Sequence, residues 1–205
     1  MARSARNDLI PLSARLPICL RAWAIAVLAL SLVVSPLNLL SQSSTTPEYR
    51  AKSKFLAHFP SFIEWPASVF PSPNAPFLIC VYGDFSFGSS LAESTRAMDV
   101  SGHRLSLVWV RKASELTLCQ ILFISGGDSR RSAKALETVR GHSVLTVGET
   151  PDFLAAGGAV TFFFAEESLQ FDINLEAVES AHLKMSSQML AMARRVLTKT
   201  AGAKS

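Results

Sequence analysis

The sequence has little of what marks several special classes of protein. Three cysteines, ten glycines and ten prolines among 205 residues exclude a disulfide-dense miniprotein, a collagen and a low-complexity chain. The sequence also has no G-x-S-x-G nucleophile elbow, no C-x-x-C pair and no P-loop, so it contains no motif of a hydrolase, a thiol oxidoreductase or a nucleotide-binding enzyme. It is 49% hydrophobic and 18% charged, which predicts a folded domain.

Outside the N-terminal segment, the sequence has almost no excess of one sign of charge over the other. Residues 1–44 carry four of the 20 basic and one of the 16 acidic side chains, which leaves 16 against 15 in the remainder. A body so near neutrality gives no reason to expect nucleic-acid binding. No metal or other cofactor is predicted, because no two histidines have the close spacing of a metal site: His58, His103, His142 and His182.

The N-terminal segment has the order of a secretory signal. Basic residues up to Arg21 precede the uncharged apolar run Ala22–Val34, and a run rich in serine and threonine follows. No A-x-A site occurs, and the best small-x-small site predicts cleavage near Ser43. The sequence therefore predicts export from the cytoplasm to the periplasm.

An uncleaved membrane anchor is the alternative for this segment. The 18 residues from Trp23 to Leu40 just reach the length of a span, although Pro36 and Asn38 interrupt them. The basic N-terminal flank places the body outside the cytoplasm in either case. The predicted organisation is a signal peptide or anchor over residues 1–43, a linker over 44–47 and one α/β domain over 48–205.

Strand and helix patterns alternate along the body. Hydrophobic periodicity predicts strands at 77–82, 104–110, 121–124, 144–147, 159–164 and 169–173, and helices at 48–59, 87–95, 129–140, 175–181 and 186–197. Alternation between 77 and 147 is typical of parallel βαβ units, and the last two strands form a hairpin. The sequence predicts a three-layer α/β sandwich with a mixed, mainly parallel sheet and a C-terminal antiparallel hairpin.

Two cysteines remain in the body, Cys80 within the first long strand and Cys119 before the third. In an exported protein such a pair favours a disulfide, and its geometry is suitable if the two strands are neighbours. Two buried free thiols are the alternative. A redox-active pair is less favoured than a structural bond, because no C-x-x-C motif is present.

Two groups of residues are candidates for contact with a partner. The aromatic residues Phe59, Phe62 and Trp65 lie on a proline-rich segment, and such a cluster belongs either to the core or to an exposed partner site. Asp172 and Asn174 interrupt an apolar strand. They either face solvent on an edge strand or form a polar recognition patch.

Several motifs resemble the YfiR family of exported bacterial proteins, in the same order along residues 48–197. The motifs are Phe59-x-x-Phe-Ile-Glu-Trp-Pro66, Cys80-Val-x-Gly-Asp-x-x-Phe-Gly88, Leu122-Phe-Ile124, Leu145-Thr-Val147, Gly157-Gly158, Phe171-Asp-Ile-Asn174 and Leu183-Lys-Met-Ser-Ser-Gln-x-Leu190. Pro60 departs from the pattern, since a helix-forming residue is usual between the two phenylalanines.

The resemblance implies a non-enzymatic protein, often dimeric, without catalytic residues. It implies a periplasmic repressor that acts on the sensor domain of a membrane-bound diguanylate cyclase and that an outer-membrane lipoprotein can sequester. Redox-sensitive members carry two cysteine pairs, and Cys80 and Cys119 match one of them. The alternative function is a small-molecule sensor with a pocket at the carboxyl ends of the strands, near Gly83–Phe87 and Gly126–Asp128.

Overall fold

The computed structural model describes residues 47–84, 88–96, 98–165 and 168–198. Helices in these ranges are α1 (Pro47–His58), α2 (Gly88–Thr95), α3 (Ser129–Thr138), α4 (Leu175–Ser180) and α5 (Ser187–Met192). The strands are β1 (Ile63–Glu64), β2 (Phe77–Gly83), β3 (Asp99–Val100), β4 (His103–Val110), β5 (Ile121–Ser125), β6 (Leu145–Gly148), β7 (Val160–Ala165), β8 (Ser168–Asn174), β9 (Lys184–Met185) and β10 (Arg195–Leu197). The predicted signal segment and its cleavage site lie outside the described residues.

Eight of these strands form one sheet in the order β10-β8-β7-β6-β5-β2-β4-β3. Strand β2 pairs in parallel with both β4 and β5, and β6 and β7 extend the parallel part. Strands β7 and β8 form the antiparallel hairpin, whereas β1 and β9 pair in a small separate sheet. The predicted α/β fold with a mainly parallel sheet is confirmed.

Helices cover both faces of the sheet, so the central strands bury side chains on both sides and are apolar throughout. All five residues of β5 are buried. One face carries a core that includes Leu56 of α1 and Leu91 of α2, and the other face carries Leu136 of α3 and Leu116 of a 3-10 turn. Parallel strands between two helical layers have continuous apolar sequences, which is why β2 and β5 are recognisable from sequence.

The C-terminal segment departs from the single helix predicted over residues 186–197. Helix α5 ends at Met192, and Ala193 has extended backbone angles. The chain then forms β10, which pairs in parallel with β8. The prediction of one helix is wrong because β10 is stabilised by residues distant in the sequence: the backbone N–H of Arg194 donates to the carbonyl oxygen of Phe171 at 2.9 Å.

The turn between β6 and β7 encloses the buried ring of Phe153, which is 1% exposed. Two glycines lie against this ring. A Cβ atom on Gly148 would lie 2.4 Å from Cδ2 of Phe153, and one on Gly158 would lie 2.2 Å from its Cε1. Because glycine has no side chain, the ring of Phe153 fits between these two backbone segments. In a packed core the ring has no room to move aside.

We expect Gly158→Ala to lower the free energy of unfolding by about 3 kcal/mol, the upper end of the usual cost of an overpacked core. Chemical denaturation followed by circular dichroism measures it. Gly127→Ala is the matched control, because a Cβ there meets nothing within 4 Å. Equal stability of the two variants would contradict the packing argument.

Candidate partner-binding surface

Helix α1 directs its side chains both to the core and to solvent. Leu56 is fully buried against the sheet, whereas Lys54 and His58 are exposed. Phe55 lies between these directions and is half-buried. Its ring packs edge-on against Phe171 of β8, with centroids 5.8 Å apart. The helix thus places an aromatic ring at the border between the core and the surface.

A shallow groove lies beside Phe55. Its volume is about 250 Å³, and it is lined by Lys54, Phe55, His58, Phe59, Phe62 and Met192. A second depression of about 440 Å³ shares Phe55 and Met192 and is lined also by Leu169, Gln170, Phe171 and Arg194. We call the two together the Phe55–Met192 surface. Because Met192 is 48% exposed and Phe62 half-buried, apolar groups face solvent across this surface.

Among the described residues, the ionisable side chains that line the Phe55–Met192 surface are Lys54, His58 and Arg194, and none of the three is a carboxylate. The guanidinium of Arg194 lies over the ring of Phe163, with its Cζ atom 4.3 Å from the ring centroid. An aromatic and aliphatic patch with a basic rim has the composition of a protein-contact surface, where aromatic residues, methionine and arginine are enriched.

The aromatic residues predicted to contact a partner occupy different environments. Phe59 is only 2% exposed, and its ring packs within the core against Phe162 and Phe171. Phe62 lines the Phe55–Met192 surface. Trp65 lies elsewhere, edge-on to Phe77, and its buried Nε1 has no hydrogen-bond partner among the described residues. Phe59 is therefore a core residue and not an exposed contact. Phe62 and Trp65 are both half-buried, and their contact with a partner stays a prediction.

The structure also contradicts the predicted exposure of Asp172. Its side chain is fully buried, and β8 is not an edge strand because β10 pairs with it. Arg194 donates two hydrogen bonds to the carboxylate, each 2.9 Å long, and Arg195 adds an ion pair at 2.8 Å. Neither a solvent-facing position nor an exposed recognition patch is therefore correct for Asp172. Its carboxylate holds the C-terminal strand to the sheet.

The two arginines keep this carboxylate ionised. The hydrogen bonds from Arg194 lower the pKa of Asp172, burial opposes them, and the charges of Arg194 and Arg195 add to the lowering. The side chains of Arg194 and Arg195 are 49% and 59% exposed, respectively, so water reaches both, whereas the carboxylate of Asp172 is fully buried. Since Arg194 also lines the Phe55–Met192 surface, the buried carboxylate fixes the position of one residue of that surface.

Asn174, the other predicted polar contact, has a structural role in the same strand. Its side-chain oxygen accepts a hydrogen bond from the backbone N–H of Ala177 at 3.2 Å and thereby caps helix α4. Its amide nitrogen donates to the carbonyl oxygen of Leu154 at 3.3 Å. Asn174 is half-buried and lies outside the Phe55–Met192 surface.

The family described as YfiR/HmsC-like (DUF4154) matches residues 49–194. This range includes most of α1, the strands from β1 to β9, helix α5 and all the lining residues of the Phe55–Met192 surface. The chain belongs to the YfiR/HmsC-like family. This confirms the resemblance seen in the sequence motifs. The YfiR/HmsC-like family is a family of regulatory, periplasmic proteins.

Two solved structures also resemble this YfiR/HmsC-like chain. One is the ABC domain from Streptococcus pneumoniae in complex with L-Trp, at 9% identity and a TM-score of 0.48, with 71% of this chain and 60% of that chain covered. The other is a conserved domain protein from Vibrio cholerae, at 12% identity and a TM-score of 0.42, with 60% and 55% covered. The chain thus spans under two thirds of either structure, and TM-scores below 0.5 support no conclusion about it.

The two cysteines of the YfiR/HmsC-like domain are bonded to each other. Cys80 of β2 and Cys119, just before β5, form a disulfide with Cα atoms 5.8 Å apart. Their strands are neighbours, with Cys80 opposite Leu122 in the parallel register. Both residues are at most 2% exposed. The bond therefore lies in the core on the face of the sheet that α3 covers, and it has the buried environment of a structural bond.

A buried ion-pair cluster lies at the carboxyl edge of the sheet, beside Gly126, where the alternative interpretation expects a ligand pocket. Residues 85–87, which belong to the same expected pocket, lie outside the described residues. Lys52 of α1 is 3% exposed and pairs with Glu48 and Glu149. Burial lowers the pKa of Lys52, but hydrogen bonds to Glu149 and Glu48 outweigh it and the net shift is upward. The Glu149 carboxylate also accepts a hydrogen bond from the backbone N–H of Gly126 at 2.6 Å. An internal carboxylate thus occupies the turn after β5.

Sequence reasoning missed both Met192 and this cluster. Lys52 shares the core-facing side of α1 with Ser53 and Leu56, and a lysine at that spacing signals a buried charge that needs a partner. The described residues contain no group of three or more side chains suited to hold a metal ion. Within the same ranges no helix is long and apolar enough to cross a bilayer.

Proposed function

We propose that this YfiR/HmsC-like protein is a periplasmic regulator that restrains a membrane-bound signalling enzyme, a diguanylate cyclase, by direct protein contact. The family assignment supports the class of function. The observation that carries the proposal is the Phe55–Met192 surface, because a regulator without a catalytic centre needs an exposed surface through which to act.

We assign the direct contact to Phe62, Phe55 and Met192. Phe59 and Asp172 act from below, since Phe59 supports the groove and Asp172 positions Arg194. Trp65 and Asn174 lie outside the groove and maintain the fold around it. An outer-membrane lipoprotein would release the enzyme if it covered the same apolar groups. The ion pair of Lys52 and Glu149 disfavours the alternative of a small-molecule sensor, because Glu149 already accepts the backbone N–H of Gly126 that a ligand there would need.

Met192→Glu is expected to abolish repression while it leaves the fold intact. The charge replaces an exposed apolar contact, and the free energy of unfolding should stay within about 0.5 kcal/mol of the wild type. The measurement is the intracellular cyclic-di-GMP concentration in cells that lack the chromosomal gene and carry each variant, together with the melting temperature of each purified variant.

Leu118→Glu is the matched control. Leu118 is 63% exposed and also apolar, but it lies outside the Phe55–Met192 surface. We expect this variant to repress as the wild type does. Full repression by Met192→Glu would refute the assigned surface. Unchanged cyclic-di-GMP after deletion of the gene would refute the regulatory function itself.

A further inference from the structure

Strand β4 lies near one end of the main sheet, and its outer side is only partly covered. Its inner side pairs with β2 along residues 105–110, whereas β3 pairs only with its first two residues. In the part of the chain that the structure describes, no strand lies beside residues 107–110. The strand order places this open segment at the opposite end of the sheet from β8 and β10. It is therefore separate from the Phe55–Met192 surface.

The direction of the backbone groups on this edge follows from one hydrogen bond. The N–H of Leu105 donates outward, to the carbonyl oxygen of Met98 at 3.0 Å. Backbone groups of successive strand residues point to opposite sides, so the N–H and C=O groups of Leu107 and Trp109 also point outward. Those of Val108, which lies between them, point to β2. The open edge therefore presents two donors and two acceptors in strand geometry.

The side chains of this edge do not oppose an incoming strand. Natural edge strands commonly carry proline, lysine or an inward-pointing charge, which prevent pairing with another chain. Residues 106–110 contain none of these. Trp109 is 43% exposed, and Leu107 and Val108 are half-buried. An incoming strand would thus gain apolar side-chain contacts together with backbone hydrogen bonds.

The charges at the two ends of the open segment indicate the kind of strand that fits. Six exposed charged side chains lie close to these ends in sequence or in register, four basic and two acidic: Arg96, Asp99, Arg104, Arg111, Lys112 and Glu115. An antiparallel second copy would bring the two excesses of positive charge together, and like charges across an interface are unfavourable. A segment with carboxylates at its ends is attracted instead.

We propose that the open edge of β4 binds an extended segment of a partner protein, apolar in its middle and acidic at both ends. The segment adds to the sheet as an antiparallel strand, and the residues opposite Leu107 and Trp109 exchange two backbone hydrogen bonds with each of them. Its central apolar side chains pack against the tryptophan ring and the leucine, a cross-strand contact of the kind that stabilises sheets.

The surroundings of the edge fix the direction and the length of the bound segment. Strand β3 already lies on the outer side of β4 and is antiparallel to it, so a second antiparallel strand continues the same line. The segment then runs from Lys112 toward β3, and its C-terminal end must turn away before Met98, which occupies the position opposite Leu105. Only a short strand fits, and its acidic flanks supply much of the preference for this edge.

Amide hydrogen exchange with a synthetic peptide tests the proposal on the exported protein isolated from its native compartment. The probe is a blocked peptide of alternating valine and threonine with two acidic residues at each end. We expect a dissociation constant below about 1 mM. At a peptide concentration ten times this constant, the amides of Leu107 and Trp109 should exchange about ten-fold more slowly. The amides of Ser106 and Val108, which point to β2, should keep their rates.

A peptide with lysine in place of every acidic residue is the matched control, and we expect it to bind about ten-fold more weakly at low salt. Equal binding of the two peptides would overturn the acidic character of the partner. Unchanged exchange of Leu107 and Trp109 at about 1 mM acidic peptide would overturn the strand-binding edge itself. Protection that appears without peptide as the protein concentration rises assigns the edge to a second copy and overturns the proposal as well.

Two variants at one position separate backbone pairing from contact with the ring. Trp109→Ala keeps the outward N–H and should weaken peptide binding only in part. Trp109→Pro also removes that donor, which β2 does not use, and should abolish binding, because proline is compatible with edge strands but cannot donate. The melting temperature of each variant checks its fold, and the exchange rates of the wild type decide the matter if Trp109→Pro does not fold. Equal binding by the two variants would contradict strand pairing.

Discussion

Asp172→Ala is expected to lower the free energy of unfolding by about 3 kcal/mol, the low end of the usual cost of breaking a buried ion pair. The carboxylate is fully buried and holds Arg194 and Arg195, so its loss frees β10 from the edge of β8. The low end applies because the two arginines are half-exposed and regain water when the carboxylate is removed. Urea denaturation at neutral pH measures the change.

The same variant has a signature in its pH dependence. The pKa of Asp172 is lowered from its ordinary value of 3.8, first by the hydrogen bonds from Arg194. A carboxyl group whose pKa is lower in the folded state stabilises the fold above its unfolded pKa, and this contribution disappears as the pH falls through the folded value. The stability difference between wild type and Asp172→Ala should therefore be constant above about pH 5 and shrink below about pH 4.

Glu179→Ala in α4 is the control for this comparison, since it removes an exposed carboxylate from the same region of the chain. We expect a change within about 0.5 kcal/mol. A difference between Asp172→Ala and wild type that grows as the pH falls would show that the carboxylate is not held ionised by the arginines.

Breaking the disulfide is the other change with a large expected effect. Cys80→Ser should lower the free energy of unfolding by about 3 kcal/mol, because the bond closes a loop with a sequence separation of 39 in the unfolded chain. For a domain of this size the melting temperature should fall by about 6–12 °C. Differential scanning calorimetry of oxidised protein from the native compartment measures both quantities.

The second cysteine supplies the control. Cys119→Ser breaks the same bond, so the effects of the two substitutions should not add. The free energy of unfolding of the double variant should lie within about 0.5 kcal/mol of that of the less stable single variant. Alkylation of the unreduced wild type should modify neither Cys80 nor Cys119. Two alkylated thiols, or single variants whose effects add, would contradict a structural bond.

Much of the fold is predictable from the sequence because it depends on local patterns. Strands β2 and β5 are continuous apolar runs between turn residues, and α3 has an apolar side together with Asp128 as its N-terminal cap. The proline-bent end of α1 is predictable too, since Pro60 falls in the 3-10 turn that follows the helix. Such signals survive in any tertiary context.

The C-terminal strand shows where local patterns are insufficient. Residues 186–197 fit a helix, and nothing nearby in the sequence opposes one until Arg194 and Arg195 meet Asp172. The alternation along β8 is correct in separating Phe171 from Asp172. It does not reveal that β10 and the arginines cover the polar side, because that knowledge needs the pairing of segments far apart in the chain.

The candidate surface is half-predictable for the same reason. Phe62 stands out in the aromatic segment, but Met192 acquires its importance only because the end of α5 brings it into a groove that residues of α1 also line. Phe59 is the same type of residue as Phe62 and lies in the same aromatic segment, but its side chain is in the core. A difference of three residues along a bent segment decides which ring faces solvent, and the direction of that bend is a tertiary property.

The position of the disulfide also bears on how the sheet assembles. Cys80 lies in β2, the strand that joins β4 to β5, and each of these parallel pairings brings together segments distant in the chain. Contacts of this kind slow folding, because loop closure is unfavourable until the strands meet. A bond made between the two thiols before the core forms holds β2 near β5 and shortens that search. In an oxidising compartment, a bond formed before the core would therefore speed the assembly of the sheet as well as stabilise the folded state.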